Sequence, residues 1–312
     1  VWHLLDLCFD YFKYITYALI FLYFLVLIDS YFQFFVGYNI VGYEYNGIRL
    51  SGIFGEEYIL GSFLSRLMPM LFAFSLFTFN KNNKIIIPLS IIFILTDVLI
   101  FISGERLAFF YISLTTILFI LLVNKWRLIR IITFSISLVV IVIIVQFNDS
   151  IKERMINNTI KQSNILEGKM FLFTSEHQNL YETSLKIYKN NFLFGIGPKL
   201  FRIYCDKPEY SQRFGCSTHP HNTYVQLLLE TGIVGFIFFI SMFSFISYYF
   251  FCHAYSSIVI KKPIMTDYQI FLLIALFVTL WPLSPSANFF SNSISILYYY
   301  PLGFLLKSFY KE

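Results

Sequence analysis

Ile131-Ile132-Thr133-Phe134-Ser135-Ile136-Ser137-Leu138-Val139-Val140-Ile141-Val142-Ile143-Ile144-Val145-Gln146-Phe147 runs without a single charged side chain. As a helix it would be about 26 Å long, close to the thickness of bilayer hydrocarbon, so the run predicts a transmembrane helix. Comparable apolar runs lie on both sides of it, at residues 14–36, 63–79, 85–103, 107–123, 223–251, 269–288 and 293–306. Composition demands the same reading: with 57% hydrophobic and 13% charged residues among 312, the chain has too little polar surface to cover a soluble globule. The expectation is an all-α polytopic membrane protein of about eight transmembrane helices, with the lipid bilayer as its main solvent.

Short basic clusters orient these spans. Lys81 and Lys84, then Lys125, Arg127 and Arg130, then Lys261 and Lys262, and finally Lys307 and Lys311 fall in alternate connections, which predicts a cytoplasmic side that also holds both termini. Residues 37–62, the Gly104-Glu105-Arg106 turn, residues 148–222 and the connection from Pro282 to Asn292 then face outward. The chain divides into residues 1–147 with five spans and the outer loop 37–62, a large outer loop at 148–222, and residues 223–312 with three spans and a cytoplasmic tail. The net charge of +5 is scattered through these clusters and forms no single stripe, so nucleic acid is not an expected partner. No basic, apolar and small-residue series follows Val1, and no signal peptide is expected there.

Inside the large loop, residues 175–191 predict an amphipathic helix. Ser175 and Gln178 have capping-box spacing, and Tyr181, Leu185, Tyr188 and Phe192 form an apolar stripe. Gly195-Ile196-Gly197-Pro198 ends it. Cys8 and Cys252 fall on the cytoplasmic side, whereas Cys205 and Cys216 share the outer loop. A disulfide between the latter pair would stabilise the loop by about 2–4 kcal/mol, with two free thiols as the alternative that spacing leaves open.

The stretch Thr218-His219-Pro220-His221-Asn222-Thr223 brings two imidazoles to the junction of the loop with the sixth span. An imidazole with an ordinary pKa near 6.5 accepts a proton at neutral pH, so His221 is a candidate general base toward a hydroxyl. The same residues equally suit a helix cap made by His221 or Asn222, with His219 in water. A metal site built on His219, His221 and a carboxylate is the weakest reading, because no His-x-x-x-His or Cys-x-x-Cys spacing completes it. Arg106 opens the fourth span beside free helix N–H groups, an arrangement suited to a diphosphate or to snorkelling beside Glu105. Arg49, Arg202 and Arg213 are further outer cations, each suited to an anion or to solvent. Asp29 and Asp97 lie at membrane depth, which makes a transporter or flippase the rival class; against it, the spans offer neither carboxylate a basic partner and show no inverted repeat. Gly232 and Gly235 suit close helix packing. A nucleotide-sugar transferase is disfavoured by the lack of an Asp-x-Asp cluster or nucleotide loop.

Four local patterns together resemble the O-antigen ligase and O-antigen polymerase superfamily of bacterial membrane glycosyltransferases. His221-Asn222 is followed after nine residues by Gly232 and after two more by Gly235, similar to the family's histidine and spaced glycines. Ser103-Gly104-Glu105-Arg106 looks like the Ser-x-x-Arg turn of the ligase domain. Arg49-Leu50-Ser51-Gly52-Ile53-Phe54 looks like the Arg-x-x-Gly-x-Phe loop ahead of it, and Gly195-Ile196-Gly197 followed by Phe201 is similar to the Gly-x-Gly-x-x-x-Phe segment. Where relatives often carry an arginine and, four residues later, a tryptophan, this chain has His177 and Tyr181. Relatives usually have more spans, which implies helices ahead of Val1.

The resemblance implies transfer of an undecaprenyl diphosphate-linked glycan to a hydroxyl of lipid A-core or of another glycan. It implies the periplasmic face of the bacterial inner membrane, inversion, and no metal or cofactor. His221 would then be the base, with Arg106, Arg49, Arg202, Arg213 and Asn222 binding diphosphate or substrate. Ligase and polymerase are not separated by these motifs.

Overall fold

A computed structural model describes residues 12–79, 85–163 and 174–310, so Cys8, Lys81, Lys84 and Lys311 lie outside the described residues. Among these the chain is helical, with one isolated bridge between Tyr38 and Glu44 and no named strand. Its principal helices are α1 (Phe12–Val36), α2 (Leu60–Thr78), α3 (Ile86–Ile102), α4 (Arg106–Leu122), α5 (Arg127–Phe147), α6 (Ser175–Asn190), α7 (Thr223–Tyr255), α8 (Asp267–Thr279) and α9 (Asn292–Phe309). Helices α1, α2, α5 and the span Thr223–Ile260 are long and apolar enough to cross a membrane; α3, α4 and α8 are shorter apolar helices.

The chain forms two compact units. The first holds Val1–Thr159, Phe251–Val278 and Tyr300–Glu312; the second holds Ile160–Phe250 and Thr279–Tyr299. In the first, α2 is the central helix, with 78% of its apolar window buried, whereas α5 has 22% of its window buried and turns most of its surface to lipid. Lipid removes the hydrophobic drive between helices, so shape and van der Waals contact must hold them together. Aromatic rings provide much of that contact: Phe72 of α2 stacks on Phe93 of α3 at 3.8 Å, and Phe119 of α4 meets Phe93 at 5.8 Å and Phe271 of α8 at 4.9 Å.

Two readings of this unit need correction. Asp97 does have a basic partner, and Arg130 is not a loop residue. Arg130 sits in the first turn of α5, fully buried, and donates from Nη1 to Asp97 Oδ2 at 2.8 Å and from Nη2 to Asp97 Oδ1 at 2.9 Å. Thr116 accepts from the same guanidinium, Ser137 donates to the carboxylate at 3.0 Å, and the ring of Phe93 lies 4.2 Å from the guanidinium carbon. An arginine taken out of water needs every donor engaged, and this bidentate pair meets most of that need. Asp29 Oδ1 accepts from the Ile40 N–H at 2.9 Å and ties α1 to the following loop, while its buried Oδ2 has no hydrogen-bond partner.

The second unit is built around Leu180, Ile187, Ile196, Phe201, Cys205, Tyr210 and Leu229. Cys205 and Cys216 are joined as a disulfide, with Cα atoms 5.1 Å apart. The expected amphipathic helix is α6, but its N-cap is Thr174 and not Ser175, and Thr174 Oγ1 lies 2.7 Å from His177 Nδ1. Helix α7 breaks at Gly232, whose φ of +65° suits glycine. The break frees backbone groups that the Gly195 segment takes up: Ile196 and Gly197 donate to Leu229 and Glu230 carbonyls, while Ile233 donates to Phe192. A Cβ on Gly195 would lie 2.5 Å from the Leu229 carbonyl oxygen, and one on Gly232 would run into Leu193. Both glycines therefore serve contact between two backbones. The span expected to reach residue 288 ends instead with α8 at Thr279, because Pro282 and Pro285 supply no N–H and disfavour helix in the residues before them.

Candidate functional site

One end of the first unit gathers arginines. Gly104, with a φ of +75°, turns the chain from α3 into α4; a Cβ there would lie 2.8 Å from the Ile48 carbonyl oxygen, 3.2 Å from Arg49 Cγ and 3.6 Å from Arg154 Cγ. Two arginine stems thus close over the glycine. Arg154 Nε donates to the Gly104 carbonyl at 3.2 Å, and Arg106 Nη1 reaches Thr159 at 3.5 Å. Arg49 lies over the Tyr58 ring at 4.4 Å and donates from Nη2 to the Tyr58 carbonyl, but its buried Nε has no hydrogen-bond partner. Burial pushes the Arg49 pKa down, the charge of Glu105 raises it and that of Arg154 lowers it. Glu105 is not the partner of Arg106: its two oxygens accept from the N–H groups of Gly61 and Ser62 at 2.6 and 3.1 Å, capping α2. Among the described residues, no carboxylate lies within ion-pair distance of Arg49, Arg106 or Arg154.

The second unit gathers imidazoles. His219 and His221 lie with ring centroids 4.0 Å apart, and His177 from α6 meets His221 edge-on at 5.9 Å. Each member is oriented by the chain. His219 Nε2 lies 3.2 Å from the Ser286 carbonyl, which only accepts, so this nitrogen carries the proton and Nδ1 accepts from Thr218 at 3.0 Å. With both nitrogens engaged, His219 is a poor metal ligand. The one group among the described residues whose atoms converge closely enough for a metal is Cys205, Asp206 and Cys216, and its sulfurs are joined to each other.

His221 has a φ of +59°, a strained conformation for a residue with a Cβ, held by the Ser286 N–H that donates to its carbonyl at 2.8 Å. Its Nε2 lies 3.2 Å from Ser217 Oγ. Burial, then the neighbouring His219 and His177, lower its pKa from the ordinary 6.5 to about 4, so the ring is neutral at pH 7. His177 and His219 are also pushed down, chiefly by burial. The helix cap falls to Asn222, whose Oδ1 accepts from Tyr224 and Val225 N–H groups while Nδ2 donates to Pro282 and Ser284 carbonyls at 3.0 and 3.4 Å. Burial pushes the Tyr181 hydroxyl up to about 12, with Asn222 acting the other way.

Of the residues expected from the sequence, Arg49 and Arg106 share the arginine end of the first unit. In the second unit Arg202 lies near enough to His219 for its charge to lower that imidazole's pKa, whereas Arg213 is exposed and stacks at 4.9 Å on Phe214. Sequence reasoning passed over Arg154, Ser217 and Ser286. Arg154 had a signal, since it follows the fifth apolar run by two turns on the same side as Arg106. A comparison with family models matches residues 89–240 to the family described as O-antigen ligase. A comparison with curated proteins finds no match.

Proposed function

We propose, from the match of residues 89–240 to the O-antigen ligase family, that this membrane glycosyltransferase-like protein moves an undecaprenyl diphosphate-linked glycan onto lipid A-core. The observation that carries the reading is His221, a neutral imidazole in a strained turn, oriented by Ser217 and Ser286 and backed by two further imidazoles. The acceptor hydroxyl gives its proton to His221, its oxygen attacks the anomeric carbon, and the bond from that carbon to the diphosphate breaks with inversion. Undecaprenyl diphosphate leaves with the bonding pair. Arg49, Arg106 and Arg154 of the first unit are the cations proposed for the diphosphate, and Arg202 and Arg213 are the candidate anion contacts of the second unit. Asn222, whose polar atoms are engaged by the chain, acts as a positioning residue.

A pKa of about 4 leaves His221 neutral and available at the working pH, though weakly basic. Neither a metal nor a cofactor enters the scheme, and the active face is periplasmic in an inner-membrane protein with both termini in the cytoplasm. The test is glycan transfer by purified protein in lipid with donor and acceptor. His221→Ala is expected to reduce the rate by about 10²–10⁴-fold, and activity is expected to persist in chelator. Equal rates for variant and wild type would sink the role of His221. Lipopolysaccharide from a deletion strain separates the two acceptor classes: loss of all O-chains supports the ligase, and core bearing a single repeat supports the polymerase.

A further inference from the structure

We propose that the far end of the first unit holds a binding site for the phosphate headgroup of an anionic phospholipid. A cavity of about 470 Å³ lies there, lined by Ile120, Leu121, Asn124, Arg127, Ser257, Ile258 and Lys261. It sits at the C-terminal end of α4, opposite the Arg106 end of the same helix. Its lining divides by chemistry. Ile120, Leu121 and Ile258 offer an apolar wall, while Arg127, Lys261, Asn124 and Ser257 offer two cations and polar groups.

Two orphaned polar atoms belong to this lining. Arg127 Nε and Ser257 Oγ are both buried and have no hydrogen-bond partner, although Arg127 Nη2 does donate to Asn124 Oδ1 at 2.8 Å and to the Leu121 carbonyl at 3.4 Å. A buried donor left unmade is costly, and both of these belong to side chains that line this cavity. Ser257 lies in the π-turn Ser256–Ile260, a widening of the helix that such sites favour, and Lys261 closes it in the left-handed conformation at φ +59°. Among the described residues neither Arg127 nor Lys261 has a carboxylate within ion-pair distance. An acceptor-rich anion with an apolar tail meets every one of these demands, and the surrounding bilayer supplies that molecule directly. Free inorganic phosphate shares the headgroup chemistry but leaves the apolar wall unused.

The experiment compares full-length protein in phosphatidylcholine vesicles with and without phosphatidylglycerol, reading lipid retention by native mass spectrometry and melting temperature after extraction. Wild type is expected to retain phosphatidylglycerol over phosphatidylcholine and to melt higher with it. Arg127→Gln and Lys261→Gln are each expected to lower that preference on the order of fivefold. Ser257→Ala, which removes an unpartnered hydroxyl and spares the fold, is expected to lower it less while leaving glycan transfer unchanged. Equal retention of the two lipids by wild type, or an undiminished preference in Arg127→Gln with Lys261→Gln, overturns the proposal. So does stabilisation by inorganic phosphate equal to that by phosphatidylglycerol, since the site would then take a soluble anion.

Discussion

Arg130 and the arginines around Gly104, all in the first unit, are treated in opposite ways by the chain. Arg130 is fully buried and bound through both terminal nitrogens to Asp97, with Thr116 and Ser137 completing the network. Arg49, Arg106 and Arg154 crowd one turn around Gly104 with no carboxylate at ion-pair distance, and Arg49 keeps a buried Nε without an acceptor. A cation that serves only the fold is neutralised by the fold. Under the proposed function the cluster around Gly104 binds an anion from outside, and that would distinguish a binding arginine from a structural one here.

Substitutions sharpen the contrast. Asp97→Leu strands Arg130 among apolar helices and is expected to cost about 3–5 kcal/mol of stability, read as a large drop in melting temperature. Adding Arg130→Met to that variant should recover most of the loss, because the buried charge itself is gone. Arg106→Ala should do the reverse, leaving stability within about 0.5 kcal/mol of wild type while lowering glycan transfer by about 10²-fold or more. If Arg106→Ala unfolds the protein and transfers normally when folded, the two sets of arginines are not different in kind. Glu105→Gln is a smaller perturbation: its single amide oxygen can accept from only one of the Gly61 and Ser62 N–H groups while its NH2 faces the other, so a loss of about 1–3 kcal/mol is expected, with little effect on transfer.

A further effect is one of pH. His221 has a folded pKa of about 4, below its unfolded value near 6.5, so between these values the unfolded chain binds more protons than the folded one. Stability should therefore fall as pH drops from about 6.5 toward 4 and level off below that. His221→Gln should flatten this part of the profile in thermal melts; an unchanged slope would assign it elsewhere.

Apolar run length was enough to locate helices, since a stretch such as 131–147 has few other ways to exist. It was a poor guide to where they end. Hydropathy counted residues 280–288 with the eighth helix's apolar run, whereas two prolines turn that stretch into the irregular wall whose carbonyls hold Asn222 and His219. Charge counting failed at Arg130 for a related reason: the positive-inside rule sums lysines and arginines near a span without asking how deep each lies. Its partner is 33 positions away, and no local pattern links the two. His221 was visible from its neighbours in sequence. His177 was visible only as a departure from a family pattern, and the packing of α6 explains it by setting that imidazole against His221.

The Ser286 carbonyl that fixes the proton of His219 lies 67 positions further along the chain. During synthesis the ribosome makes the histidines well before Ser286, so a nascent chain carries all three imidazoles before the Ser286 contacts to His219 and His221 can form. The Cys205–Cys216 bond can close earlier, from residues only 11 apart. Assembly is thus staggered: the disulfide joins residues close in sequence, whereas the hold of Ser286 on the two histidines waits for a later segment of the chain.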